Sequence, residues 1–153
     1  MSKNSPRLPR FEQWSQEFDN PVSLWDYAAR KGGTTLALAF ASVFWPRLIE
    51  IDGCILLAER YEPSVFQAWK AQLGDRPEAI ERTVNHVHLW DLFDPRDEDV
   101  PAGELDYLAD VLAATWRAAL ADRFPDRDCE VVIAREAEDY GPTISFFTRR
   151  TAS

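Results

Sequence analysis

The sequence predicts an α+β domain with about four antiparallel strands, two hairpins packed against several helices, and three observations carry that reading. The β-prone runs come as two consecutive pairs, RLIEI with CILLA over residues 47–58 and EVVIA with TISFFT over residues 130–148. Helix-periodic segments precede each pair in threes. The order ααα ββ ααα ββ lacks the strand-helix-strand alternation of a parallel doubly wound sheet. Finally, 153 residues with 46% hydrophobic side chains, including 6 Trp and 9 Phe, suffice for one core without disulfides or a structural metal. Residues 1–20 read as an N-terminal arm with a short amphipathic helix, and residues 21–153 as the single domain.

Phe11, Trp14 and Phe18 recur at i, i+3 and i+7 and define the arm helix before the Asn20-Pro21 break. Ser23 with Asp26 forms a capping box, and Gly32-Gly33 stops a second helix over Leu24 to Lys31. A third begins at Thr34 or Thr35 and ends at Trp45-Pro46, since the residue before proline resists the α conformation. Apolar almost all round, it is expected to be the buried central helix. Asp52-Gly53, the dipeptide suited to a type I′ turn, joins the first two strands.

Pro63 and Ser64, with Gln67 completing a capping box, open a helix with Val65, Phe66, Trp69 and Leu73 on one face, closed by Gly74. Asp75 is expected to cap a helix from Pro77 with Ile80, Thr83, Val84 and Val87 inside. A helical continuation over Asn85 to Phe93 is favoured over an early exit. Asp94 to Gly103 holds two prolines and four acids and is expected to be a solvated loop. The longest helix follows from Glu104 to Phe124, with Leu105, Leu108, Leu112, Trp116 and Leu120 along its inner stripe and Pro125 as its stop.

The formal net charge is −9, unevenly placed: residues 91–139 hold 15 acids against 5 bases, a net of −10. Such a run is either a solvated face that keeps the protein soluble or a docking surface for a basic partner. Both readings disfavour nucleic acid, because no cluster of Lys and Arg interleaved with aromatics faces the phosphates. A membrane span is not expected, since the longest apolar run, Leu36 to Val43, is far short of about 20 residues. No secretory signal opens the chain, so a cytoplasmic location is expected. The 14 Arg against 3 Lys, with abundant Ala, suggest a GC-rich bacterial genome.

Nucleotide-binding, hydrolase and metalloprotease signatures are missing, so no cofactor and no metal are expected. Cys54 and Cys129 stand 75 positions apart in no CxxC pair and read as small buried hydrophobes. The two histidines, His86 and His88, have Glu81 and Asp91 nearby. On a helix they point about 160–200° apart and cannot share a metal; on a strand they share a face. The helical reading makes His88 a hydrogen-bonded boundary imidazole, and the alternative is an acid/base pair with a carboxylate. Trp90 and Tyr107 flank the acidic loop, as packing anchors or as the apolar centre of an interface.

Through FWPRLIEIDGCILLAERY, NHVHLWDLF and YGPTISFFTRR the layout resembles that of small acidic immunity proteins of bacterial polymorphic toxin systems. That resemblance implies a non-catalytic protein that binds a cognate, often basic, toxin and covers its active site. Asp94, Asp97, Glu98, Asp99, Glu104, Asp106, Tyr107 and Trp90 are the expected partner-binding residues. The competing reading is a small enzyme or ligand-binding protein using His86 or His88, and the sequence leaves the oligomeric state open.

Overall fold

Two sheets, not one, organise the described residues. The computed structural model describes residues 6–93, 103–135 and 141–151. Its elements are α1 (Pro9–Ser15), α2 (Leu24–Lys31), α3 (Thr34–Phe44), β1 (Leu48–Ile51), β2 (Cys54–Leu57), α4 (Pro63–Leu73), α5 (Pro77–Val84), β3 (Val87–His88), α6 (Leu89–Phe93), α7 (Glu104–Arg123), β4 (Cys129–Ala134) and β5 (Thr143–Thr148). The architecture is α+β, as expected. β1 and β2 pair antiparallel with Leu48 opposite Leu57, and Asp52 (φ 49°) and Gly53 (φ 77°) take the two positive angles that a type I′ turn requires. The second sheet has the order β3-β5-β4.

The expected single four-stranded sheet is therefore corrected, and two side chains explain why. Glu81 and Asn85 lie one turn apart on the buried face of α5 and its C-cap, and they enter the seam between β2 and β5. Glu81 Oε1 accepts from Ile55 N at 2.8 Å and Glu81 Oε2 from Thr148 N at 2.7 Å. Asn85 Oδ1 accepts from Leu57 N at 3.0 Å, while its Nδ2 donates to the Ile55 carbonyl at 2.9 Å and the Phe146 carbonyl at 3.3 Å. Backbone groups that a continuous ladder would pair with each other are satisfied by one helix instead. β3 covers only the start of β5, with Val87 opposite Ile144 and His88 opposite Thr143, leaving the rest of that edge to α5.

The main core lies between α7 and the β3-β5-β4 sheet. Leu112, Trp116 and Leu120 of α7 are buried with Val131, Ile144 and Phe146, as the stripe predicts, and Leu105 and Leu108 are half-buried at its edge. A second cluster joins Cys54, Leu56, Phe66, Ile80 and Val84 behind β2. At the N-terminus, Trp14 is buried in an aromatic cluster of its own, with Phe18 at 4.7 Å and Tyr27 at 5.1 Å between centroids and the Arg30 guanidinium 4.8 Å above Phe18.

Three local expectations change. Helix α4 is capped by Glu62, whose carboxylate accepts from Ser64 N and Val65 N, and not by a Ser64–Gln67 box. Arg76, not Asp75, is the N-cap of α5, with no side-chain bond. The largest correction concerns α3, whose span is as predicted but whose residues 34–42 are all exposed; only Val43 and Phe44 reach the core. α7 and the sheet close around each other, so α3 meets the fold by its C-terminal end alone, where Trp116 Nε1 donates to the Val43 carbonyl at 2.9 Å.

Candidate interaction surface

Gly103, at φ 99°, caps α7 and puts Glu104 and Asp106 in its first turn, where acids favour the helix dipole. Asp106 and Asp110 stand one turn apart and share a single cation, Arg135 at the end of β4, with Asp106 Oδ1 at 3.1 Å from Nη1 and Asp110 on Nη2. Two carboxylates on one guanidinium leave this face negative. Exposed pairs of this kind contribute at most about 1 kcal/mol, so they order the face more than they stabilise the fold. Tyr107, in the same turn, is half-buried. Asp94, Asp97, Glu98 and Asp99 lie outside the described residues.

Trp90 has a packing role. A Cβ placed on Gly141 would fall 2.4 Å from its Nε1 and 2.5 Å from its Cδ1, so the indole lies on bare backbone, at a residue with φ 68° that itself favours glycine. Leu105 of α7 closes the same contact. The structure thus ties Trp90 to the start of α7 and the start of β5.

The histidines do not lie on a helix. Asn85 ends α5, because its amide is drawn into the seam between the sheets, and His86 and His88 follow on extended chain with their rings 5.0 Å apart. They share a face, contrary to the expectation of opposed directions. Among the described residues no group of three or more His, Cys, Asp or Glu is placed to hold a metal ion. Glu81 cannot serve either histidine as a base: it is fully buried, and Arg150 pairs with it at 3.0 Å in addition to the strand amides. Both cysteines are free, and burial pushes their thiols up, so neither is an activated nucleophile.

Partial desolvation of the largely exposed His86 imidazole also pushes it below its ordinary value of 6.5, with His88 and Arg60 adding in the same direction. The folded state then binds the proton less readily than the unfolded chain. His86 thus favours folding fully above pH 6.5, and that contribution falls as pH drops through 6.5 and levels below the depressed value. Urea midpoints measured from about pH 7.5 to about pH 5 should fall with acid, and His86→Gln should flatten the step. Asp26 and Glu62, held low by hydrogen bonds to their own helix starts, lose their contribution only in stronger acid.

Two features escaped sequence reasoning. A groove of about 350 Å³ is lined by Arg76, Pro77, Glu78, Ala79 and Arg82 at the start of α5 and by the distant Arg150. Its guanidinium groups are engaged: Arg82 by Glu78 and by the face of Phe147 at 3.4 Å, Arg150 by Glu81 and the Gly53 carbonyl, and Arg76 by the Leu73 carbonyl. The second is the apolar arm. Trp25 is 87% exposed and Leu38 66%, with Leu24, Leu36, Phe40 and Trp45 also exposed. No helix among the described residues is long and apolar enough to cross a membrane. Comparison with protein-family models, with curated proteins and with solved structures finds no match for this chain.

Proposed function

We propose that this chain is a non-catalytic binding module that holds a basic protein partner, as an immunity protein holds its cognate toxin. One observation carries the reading: the charge is segregated. Residues 1–47 hold 6 bases and 4 acids, whereas residues 48–153 hold 11 bases and 22 acids. A field of one sign raises the rate at which an oppositely charged partner arrives, and a half-buried aromatic such as Tyr107 slows its departure. The acidic face at the start of α7, with Asp106 and Asp110 on one arginine, fits that role. Trp90, engaged with Gly141, belongs to the support of this face rather than to its contact area.

The competing enzymatic reading loses one of its two carboxylates to the same geometry, because Glu81 is sealed behind Arg150 and two strand amides. The test is surface plasmon resonance against the basic protein retained from the native host, at two salt concentrations. Reversing the charge at Asp97, Glu98 and Asp99 is expected to lower the association rate roughly tenfold at low salt and to flatten its salt dependence. Tyr107→Ala is expected to raise mainly the dissociation rate. An association rate indifferent to salt and to the triple reversal would reduce the acidic run to a solubility feature.

A further inference from the structure

Gly32 to Pro46 is the longest stretch of the sequence without a charged side chain, and it contains all of α3. Among the described residues this stretch is covered only at its C-terminal end, by Phe93 stacked 5.9 Å from Phe40 and by the core around Val43 and Phe44. Leu36 and Phe40 are one turn apart on one side of the helix, and Leu38 projects about 200° from Leu36. Both sides of α3 are thus apolar and in water. Scaling large apolar side chains of about 150–250 Å² by the exposed fractions of Leu24, Trp25, Leu36, Leu38, Phe40 and Trp45 gives a summed apolar surface of roughly 500–840 Å². That sum is of the order of the about 800 Å² that each partner of a standard interface buries.

We propose that the α2–α3 arm is a self-association surface, and that its occupant is the same arm of a second copy of this chain. Charge selects that occupant. Two chains of net −9 repel over most of their surface, yet residues 6–47 carry 5 bases and 4 acids and the α3 stretch carries none, so like copies approach here with the least opposition. Symmetry supplies the area. A two-fold axis presents every patch twice, so one side of α3 packs on its symmetry mate while the other meets Leu24 and Trp25 of the mate's α2. A membrane surface fits less well: α3 spans about 16 Å, half the hydrocarbon thickness of about 30 Å, and lying flat it would bury one side and leave the other wet. The proposal is independent of the acidic face, which stays open to another partner.

Sedimentation equilibrium of the full chain, from low micromolar to several hundred micromolar, tests it. The expected result is twice the chain mass with micromolar or tighter affinity. Leu36→Glu with Leu38→Glu should give a folded monomer whose melting temperature matches that of the wild type diluted below its dissociation constant, since both side chains are exposed, and Trp25→Ala should weaken association roughly tenfold or more. Should the double variant fail to fold, hydrogen exchange of the wild type decides: amide protection in residues 34–44 that falls on dilution supports the dimer, and protection that ignores dilution overturns it. A wild type monomeric throughout the range overturns the proposal, as does a dimer that survives the double substitution. Flotation of a monomeric wild type with phosphatidylcholine–phosphatidylglycerol vesicles, lost in the double variant, would assign the arm to a lipid surface instead.

Discussion

Glu81→Ala is expected to cost about 3–5 kcal/mol of unfolding free energy, the range found when one partner of a buried ion pair is removed. Ordinary domains hold 5–15 kcal/mol in all, so the variant should be close to unfolding in dilute urea. The effect is large because the carboxylate has several duties at once. It accepts from the backbone amides of Ile55 and Thr148 on two different sheets, from the Thr148 hydroxyl at 3.2 Å, and from both terminal nitrogens of Arg150. Alanine strands two buried amides and opens the seam that holds β2 against β5. Glu78→Ala, three residues earlier on the same helix, removes only the exposed pair with Arg82 and should cost about 0.5 kcal/mol or less. Urea unfolding followed by circular dichroism compares the two. A Glu81→Ala loss below about 1 kcal/mol would mean that the sheets hold together without the carboxylate.

Most of the element boundaries were legible in the sequence because each rests on local chemistry. The Ser23–Asp26 capping box, the Asp52-Gly53 turn and the proline stops act within a few residues and do not depend on what packs later. The stripe on α7 was legible because helical period and burial agree there. The join between the sheets was not, since it depends on a glutamate and an asparagine that pattern rules place on a solvated face. Glu81 is buried by partners 26 to 69 positions away, and no local signal announces them. The same asparagine decides the histidines: by capping α5 inside the seam it forces extended chain at His86, where a continuing helix was the natural reading.

The α3 helix failed differently. Its apolar pattern shows that water is unfavourable on every side, but not whose side chains exclude it. A helix buried in its own chain and a helix awaiting a second chain have the same hydropathy, and only the filled space between α7 and the sheet distinguishes them here. The acidic face was half legible. Charge density could be counted, and Glu104, Asp106 and Tyr107 do gather at the start of α7, but the pairing of Asp106 and Asp110 through Arg135 needs β4 beside α7. Trp90 packs, one of the two roles the sequence offered, but its partner, the bare backbone of Gly141, is a contact that periodicity does not encode.

Trp116→Ala is the second large expected loss, about 3–5 kcal/mol as for other aromatic truncations in a core. Trp116 is buried at the centre of α7, meets Phe146 edge-on at 5.9 Å, and lends its indole N–H to the Val43 carbonyl near the end of α3. Two components can be separated. Trp116→Phe keeps most of the apolar volume and removes the donor, so it should cost about 1–2 kcal/mol, the cost of an unsatisfied, partly buried carbonyl. That smaller loss has a location as well as a size, because the bond is the polar tie between α3 and the core. Hydrogen exchange of Trp116→Phe should therefore quicken at residues 37–45 and stay unchanged in β4 and β5, whereas Trp116→Ala should quicken both. A Trp116→Ala loss below about 1 kcal/mol would mean that α7 presents a different face to the sheet. Uniform quickening in Trp116→Phe would mean that α3 is held by Val43 and Phe44 packing alone, with the hydrogen bond contributing nothing specific to its attachment.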